Sequence, residues 1–243
     1  MHVLVIQPDG DKPLGRLEAP LRSEGLDLDV RLAGRDRIEV EGHVAVVGLS
    51  GFADPVDAND AVDAMREAFL LSLASGRPAL GICLGAQLLA QAAGAAAGRC
   101  TAEYGYAPIE LTEAAAKDGL LRGLPRRLEV FHAHSYAVSL PAGATPLART
   151  GNALQAFHVP PAAWGFQFHP EPTVEIVDEW VGQHGDFLRS NGAEPDRVAW
   201  DARRVDSEAS LVAGAIARGF AGVVREHVKV PRSSRSGADR GFR

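Results

Sequence analysis

Apolar residues come in short runs through the first third of the chain. "HVLVI" (2–6) and "HVAVVGLSG" (43–51) are continuous apolar stretches, the pattern of strands buried on both faces of a parallel sheet. "LDLDVRL" (26–32) and "RPALGI" (77–82) predict two more strands. Between them the apolar spacing changes to three and four. Leu14, Leu17 and Leu21 predict a helix over 13–25 stopped by Gly25, and Val62, Met65, Phe69 and Leu73 share one face of a helix over 57–76. The helix after Ile82 is rich in Ala and Leu nearly all round, which predicts deep packing and an end at Gly94 or Gly98. The alternation predicts an α/β fold with a doubly wound, mostly parallel sheet flanked by helices.

After residue 98 the texture becomes short strands and turns, at 102–111, 127–136, 145–150, 153–159 and 162–169. This predicts a smaller antiparallel region. A helix is expected over 174–188, and a terminal one over 208–224 with Val212, Ile216, Phe220 and Val223 on one face. Neither an internal repeat nor a Ser/Gly linker divides the chain, so residues 1–225 are expected to form one domain. Residues 225–243 hold six arginines and lysines against two acids, with interspersed Ser, Gly and Pro. A flexible, solvated basic tail is expected over 226–243.

Composition narrows the function. Hydrophobic residues at 46 % and charged residues at 23 % describe a chain that buries a core rather than a disordered one. A formal charge of -6 disfavours a nucleic-acid surface, which needs clustered cations to displace counterions. The N-terminal stretch has no basic leader or cleavage site, and no run approaches the roughly 18 apolar residues of a membrane span. Two cysteines suit a reducing compartment, so the expected location is the cytoplasm. No P-loop and no GxGxxG occurs, and no cofactor is expected.

The chemistry concentrates in "LGICLGAQLLAQ" (80–91). Gly81-Ile82-Cys83-Leu84-Gly85 has the glycine spacing of a nucleophile elbow, with Cys in place of Ser. Such a sharp strand-to-helix turn brings backbones too close for Cβ atoms and sets the thiol at a helix N-terminus, whose partial positive charge favours thiolate. The N–H of Leu84 then faces the position of an oxyanion. "WGFQFHPEP" (164–172) delivers His169 and, after one proline, Glu171: a base and an orienting carboxylate in rigid spacing.

With these two motifs the sequence resembles the class I glutamine amidotransferases, whose Cys-His-Glu glutaminase domain occurs in GMP synthetase. The matching stretches are "GICLGAQLLA" (81–90), "EYGYAPIELT" (103–112), "HAHSYAVSLP" (132–141), "NALQAF" (152–157) and "GFQFHPE" (165–171). The resemblance implies a flavodoxin-like sheet, Cys83 as nucleophile, His169 as base and then acid, and Glu171 orienting the imidazole. It implies further that Gln87 lines a glutamine pocket, that the loop "GLSG" (48–51), with Gly48 and Leu49, joins Leu84 in the oxyanion hole, and that Ser135 and Tyr136 help hold the α-amino end of glutamine. Two departures stand out. Adjacent glycines are usual in the oxyanion loop, whereas Leu49 and Ser50 follow Gly48; and an acid often stands at the position of Tyr136, so its loss would admit γ-glutamyl compounds other than glutamine.

Other readings place His132 and His134, on one face of a strand, in a metal site with His158 or His169, although no CxxC or HExxH pattern supports zinc and no metal is expected. Cys83 as a redox thiol leaves the His169-Pro170-Glu171 segment without a role. Cys100 is expected to be a buried apolar residue. Within enzymes the alternatives are an ammonia-delivering amidotransferase and a free-standing γ-glutamyl hydrolase. With no second domain to hold an ammonia acceptor, any synthetase is expected to be a separate chain.

Overall fold

The computed structural model describes residues 1–10 and 12–229. One nine-stranded sheet runs through the molecule. Its parallel half comprises β1 (His2–Gln7), β2 (Asp27–Leu32), β3 (Ala45–Gly48), β4 (Ala79–Ile82) and β9 (Ala163–Phe166). The antiparallel half comprises β5 (Ala97–Leu111), β6 (Arg127–Val138), β7 (Thr145–Arg149) and β8 (Leu154–Val159). In space the order is β2-β1-β3-β4-β9-β8-β7-β5-β6. The expected antiparallel region is thus a continuation of the parallel sheet, joined to it through β9.

Alternation along β1 divides the core. Val3 and Val5 face one apolar layer with Leu17, Leu21, Ile216 and Phe220, while Leu4 and Ile6 face another with Met65, Phe69, Leu88 and Leu89. The first layer lies under α1 (Glu18–Ser23) and α6 (Asp206–Lys229), the second under α2 (Asp60–Ala74) and α3 (Leu84–Ala92). Asn59 caps α2, its side chain accepting from the N–H of Ala61 at 2.8 Å. Gly94, at φ 84°, follows the end of α3.

Helix α4 (Val174–Ser190) opens behind Thr173, whose hydroxyl accepts from the N–H of Ile176. The sequence pattern overlooks α5 (Pro195–Arg204), a polar helix with Pro195 in its first turn; its buried side includes Val198 and Ala202. The boundary at residue 226 is corrected as well. Helix α6 continues to Lys229, which pairs with Glu226 at 2.7 Å in the last turn, where cations complement the helix dipole. The rest of the expected tail lies outside the described residues. By length and composition α6 is also apolar enough to cross a membrane, a property that a search for uninterrupted apolar runs passes over. Val212, Ile216, Phe220 and Val224 on that helix are buried in the core of this fold.

Candidate active site

The turn after β4 sets the site. Cys83 has φ 50° and ψ -106°, the one positive φ among the described residues other than glycine. Such a conformation stores roughly 1–3 kcal/mol of strain and persists only where its surroundings over-determine it. Here the Cys83 N–H donates to the Phe166 carbonyl at 2.7 Å, and the Cys83 carbonyl accepts the Gln87 N–H at 3.0 Å. The glycines permit the approach: a Cβ on Gly81 would overlap the carbonyl of Gly85, and one on Gly85 would overlap the carbonyl of Gly48.

The strand next to β4 carries the imidazole. Beyond β9 the chain leans onto the antiparallel half, with Gln167 N–H donating to Gln155 O at 2.9 Å and His169 N–H to Phe131 O at 2.8 Å. Period-two alternation puts Phe166 and Phe168 into the core and Gln167 and His169 on the opposite side. His169 Nδ1–H donates to Glu171 Oε1 at 2.7 Å. Its Nε2 is buried with no hydrogen-bond partner among the described residues, and His169 lines the same cleft as Cys83. Burial alone would depress the His169 pKa, but Glu171 and Cys83 outweigh it and raise the value to about 10. The site therefore favours an imidazolium beside the sulfur.

Two arrangements not foreseen from sequence hold these groups. Arg16 N–H donates to the Glu171 carbonyl at 2.8 Å, and the Arg16 guanidinium binds the Pro172 carbonyl, Asp206 and Ser210 at 2.7–2.8 Å. Behind the sulfur, Gln87 Nε2 donates to Gln167 Oε1 at 3.1 Å and to the Tyr136 carbonyl at 3.0 Å. That fixes the Gln167 amide so that its Nε2 points to Cys83 Sγ, 3.7 Å away. Gln87 is among the residues lining the cleft, and its amide nitrogen is spent on protein groups.

A sequence profile described as "Glutamine amidotransferase class-I" matches residues 21–179, well over half of the chain. The chain belongs to the class I glutamine amidotransferases. It is 38 % identical over 127 residues to a glutamine-hydrolyzing GMP synthase of Aeropyrum pernix, a match covering 49 % of this chain and 24 % of that protein. It is 42 % identical over 98 residues to one subunit of the glutamine-hydrolyzing GMP synthase of Thermococcus kodakarensis, covering 39 % of this chain and 50 % of that one. The chain thus spans half or less of these curated relatives. Among solved structures, a glutamine amidotransferase of Thermotoga maritima superposes with a TM-score of 0.82 at 25 % identity, over 91 % of this chain and 98 % of that one.

In this amidotransferase the cleft in front of Cys83 has a volume of about 600 Å³. The loop after β3 enters it differently from the expectation. Gly48 is the last residue of β3, paired on both sides, and Leu49 is buried with its N–H donated to Ile6 O at 3.0 Å. Sheet pairing thus removes both from the cleft, and Ser50 and Gly51 line it instead.

Ser135 and Tyr136 also line the cleft, as do Arg99 and Asp54. The Asp54 carboxylate near Tyr136, with desolvation, raises the Tyr136 pKa; the Arg99 guanidinium lies 4.8 Å from the Tyr136 ring and 3.5 Å from the Asp54 carboxylate. The cleft lining thus includes the Asp54 carboxylate near Tyr136.

His132 and His134 face a different third member from those expected. His134 Nε2 lies 3.0 Å and His132 Nδ1 3.8 Å from Glu103 Oε2, and these atoms are close enough together to hold a metal ion. His158 instead stacks on Trp164 at 4.4 Å. Gln155 Nε2 also donates to Glu103, at 2.6 Å, and His132 Nε2–H donates to the Ala107 carbonyl. Hydrogen bonds thus tie β5, β6 and β8 together through this cluster. Burial lowers the His132 pKa to about 4 against the pull of Glu103, whose own value is about 2 because hydrogen bonds and the histidines outweigh its burial. Cys100 is half-buried rather than packed as an apolar residue, its Sγ 3.8 Å from His134 Nδ1. Burial raises its pKa.

Proposed function

We propose that this chain hydrolyses the side-chain amide of glutamine to glutamate and ammonia through a thioester on Cys83. The observation that carries the reading is the strained thiol at the head of α3 sharing a buried cleft with His169, whose Nδ1–H is committed to Glu171 and whose Nε2 is free. The thiolate attacks the δ-carbon. N–H groups of Leu84 and of the Ser50-Gly51 turn receive the oxyanion, each well-placed donor contributing about 3 kcal/mol. His169 Nε2–H protonates the leaving nitrogen as the C–N bond breaks. The same nitrogen then takes a proton from the water that adds to the thioester; the C–S bond breaks and glutamate leaves.

Asp54, 3.5 Å from the Arg99 guanidinium, is the acceptor for the substrate α-ammonium in this reading. The Thermococcus relative is named as one subunit of a synthase, which supports a separate ammonia-accepting synthetase as partner. Free thiols at Cys83 and Cys100 suit the cytoplasm.

The test is intact-mass analysis after exposure to a glutamine-mimicking diazoketone. One adduct, mapped to Cys83, blocked by excess glutamine and absent from Cys83→Ala, is expected. Protein that stays unlabelled while its thiol reacts with a small alkylating agent would overturn the reading.

A further inference from the structure

The lining of the cleft is of two chemical kinds. Ser135, Tyr136, Arg99 and Asp54 are polar or charged, whereas an aromatic run begins at His169. The His169 ring meets Phe131 edge-on at 5.8 Å, Phe131 meets Trp180 at 5.5 Å, Trp180 meets His184 at 5.7 Å, and His184 meets Phe52 at 5.3 Å. All five line the cleft, so the run forms one continuous wall of it. Phe52, at its outer end, is 57 % exposed, and His184 Nε2 is a buried polar atom with no partner among the described residues.

The position of His169 assigns this wall to one part of a substrate. The nitrogen that leaves takes its proton from His169, so any group attached to that nitrogen starts beside His169, where the aromatic run begins. Ammonia carries no such group and leaves the wall uncovered. A space of about 600 Å³ falls within the range of about 300–1,000 Å³ that holds drug-sized ligands, well beyond one amino acid. Aromatic faces and edges select a flat or apolar body with a polar tip.

We infer that the preferred substrate is a γ-glutamyl amide whose amine carries an aromatic group seated along Phe131, Trp180, His184 and Phe52. The inference rests on the reading of Cys83 and His169 given above. The chemistry is that of glutamine hydrolysis with a larger leaving group. The sulfur bonds the δ-carbon, His169 Nε2–H passes its proton to the amine nitrogen as the C–N bond breaks, and the free amine departs. Water then gives a proton to His169 and its oxygen to the acyl group, releasing glutamate and the thiol.

The experiment compares kcat/KM for L-glutamine, γ-glutamyl methylamide and γ-glutamyl-p-nitroanilide with the whole chain. The anilide is expected to exceed glutamine and the methylamide by about ten- to a hundredfold, the discrimination an apolar pocket provides. Trp180→Ala should lower the anilide-to-glutamine ratio about tenfold. Phe52→Ser, a change at an exposed ring, should lower it in the same direction and covers the case in which the Trp180 variant does not fold.

An anilide no better than glutamine, or a ratio unmoved by Phe52→Ser, overturns the inference and leaves the glutaminase reading intact. If no amide is turned over, the inference also fails. Diazoketone labelling then separates the two readings, because a label on Cys83 retains the nucleophile and its absence removes both.

Discussion

The main-chain carbonyl of Glu171 lies so close to the α-carbon of Gly15 that a Cβ on residue 15 would overlap it. Gly15 also has φ 50°, a conformation that disfavours any side chain. The carboxylate that orients His169 is therefore positioned from a loop more than 150 residues away in sequence. Gly15→Ala should cost about 1–3 kcal/mol of stability and displace Glu171. The measurements are urea denaturation and glutaminase kcat. A variant with reduced stability and unchanged kcat would show that Glu171 tolerates the shift.

Replacing Cys83 or His169 with Ala should nearly abolish amide hydrolysis. A positioned general base contributes 10²–10⁴-fold, and the thiol has no substitute in the cleft. Glu171→Gln should be milder, since Gln still fills the space beside Nδ1. Steady-state release of glutamate by the three variants gives the ranking, and a Glu171→Gln enzyme as dead as Cys83→Ala would refute it.

Asp54→Asn tests the polar lining. It removes the charge that would pair with an α-ammonium while keeping the size of the side chain, so KM for glutamine should rise about tenfold with kcat nearly kept. N-acetylglutamine should lose its disadvantage in the variant. Equal discrimination before and after the change would place the ammonium elsewhere.

Two of the buried histidines, His132 and His169, act on stability in opposite pH windows. His132, lowered to about 4, binds its proton less readily in the folded chain, so its contribution is present above about 6.5 and disappears as pH falls through about 4. His169, raised to about 10, contributes fully below 6.5 and loses that contribution as pH rises through 10. His132→Gln should flatten the acid-side decline between pH 6.5 and 4, about 3 kcal/mol in the parent, and leave the alkaline decline in place. Parallel acid declines in parent and variant would refute this assignment.

Much of the parallel half was legible because its physics is local. Continuous apolar runs marked β1, β3 and β4, and the glycines around Cys83 announced a turn that only crossing backbones require. His169 and Glu171 were readable for the same reason, two residues apart on a fixed turn. The misreadings involve partners distant in sequence. Gly48 and Leu49 follow an apolar strand as an oxyanion loop would, but only the pairing of β3 with β1 and β4 reveals that the sheet holds both and that the Leu49 N–H is taken by Ile6. Asp54 occurs in a loop of turn-forming residues, and nothing local says that it meets Tyr136. Gln167 did carry a signal, since alternation along "GFQFH" puts it on the side of His169. Helix α5 was missed because its surface is dominated by charge, including Arg203 and Arg204 in its last turn.

The junction between the two halves of the sheet has one more consequence. The thiol and the imidazole stand just past the ends of adjacent strands, β4 and β9, which are pinned by the pairing Ile82–Phe166 and the Cys83–Phe166 hydrogen bond. Trp180 and His184 hang from α4, and Phe52 from a loop, none of which belongs to that pair of strands. On the proposed reading, reaction and selectivity thus sit on different elements: a substitution in α4 can change which amine is accepted while the pair of strands that sets Cys83 against His169 stays as it is.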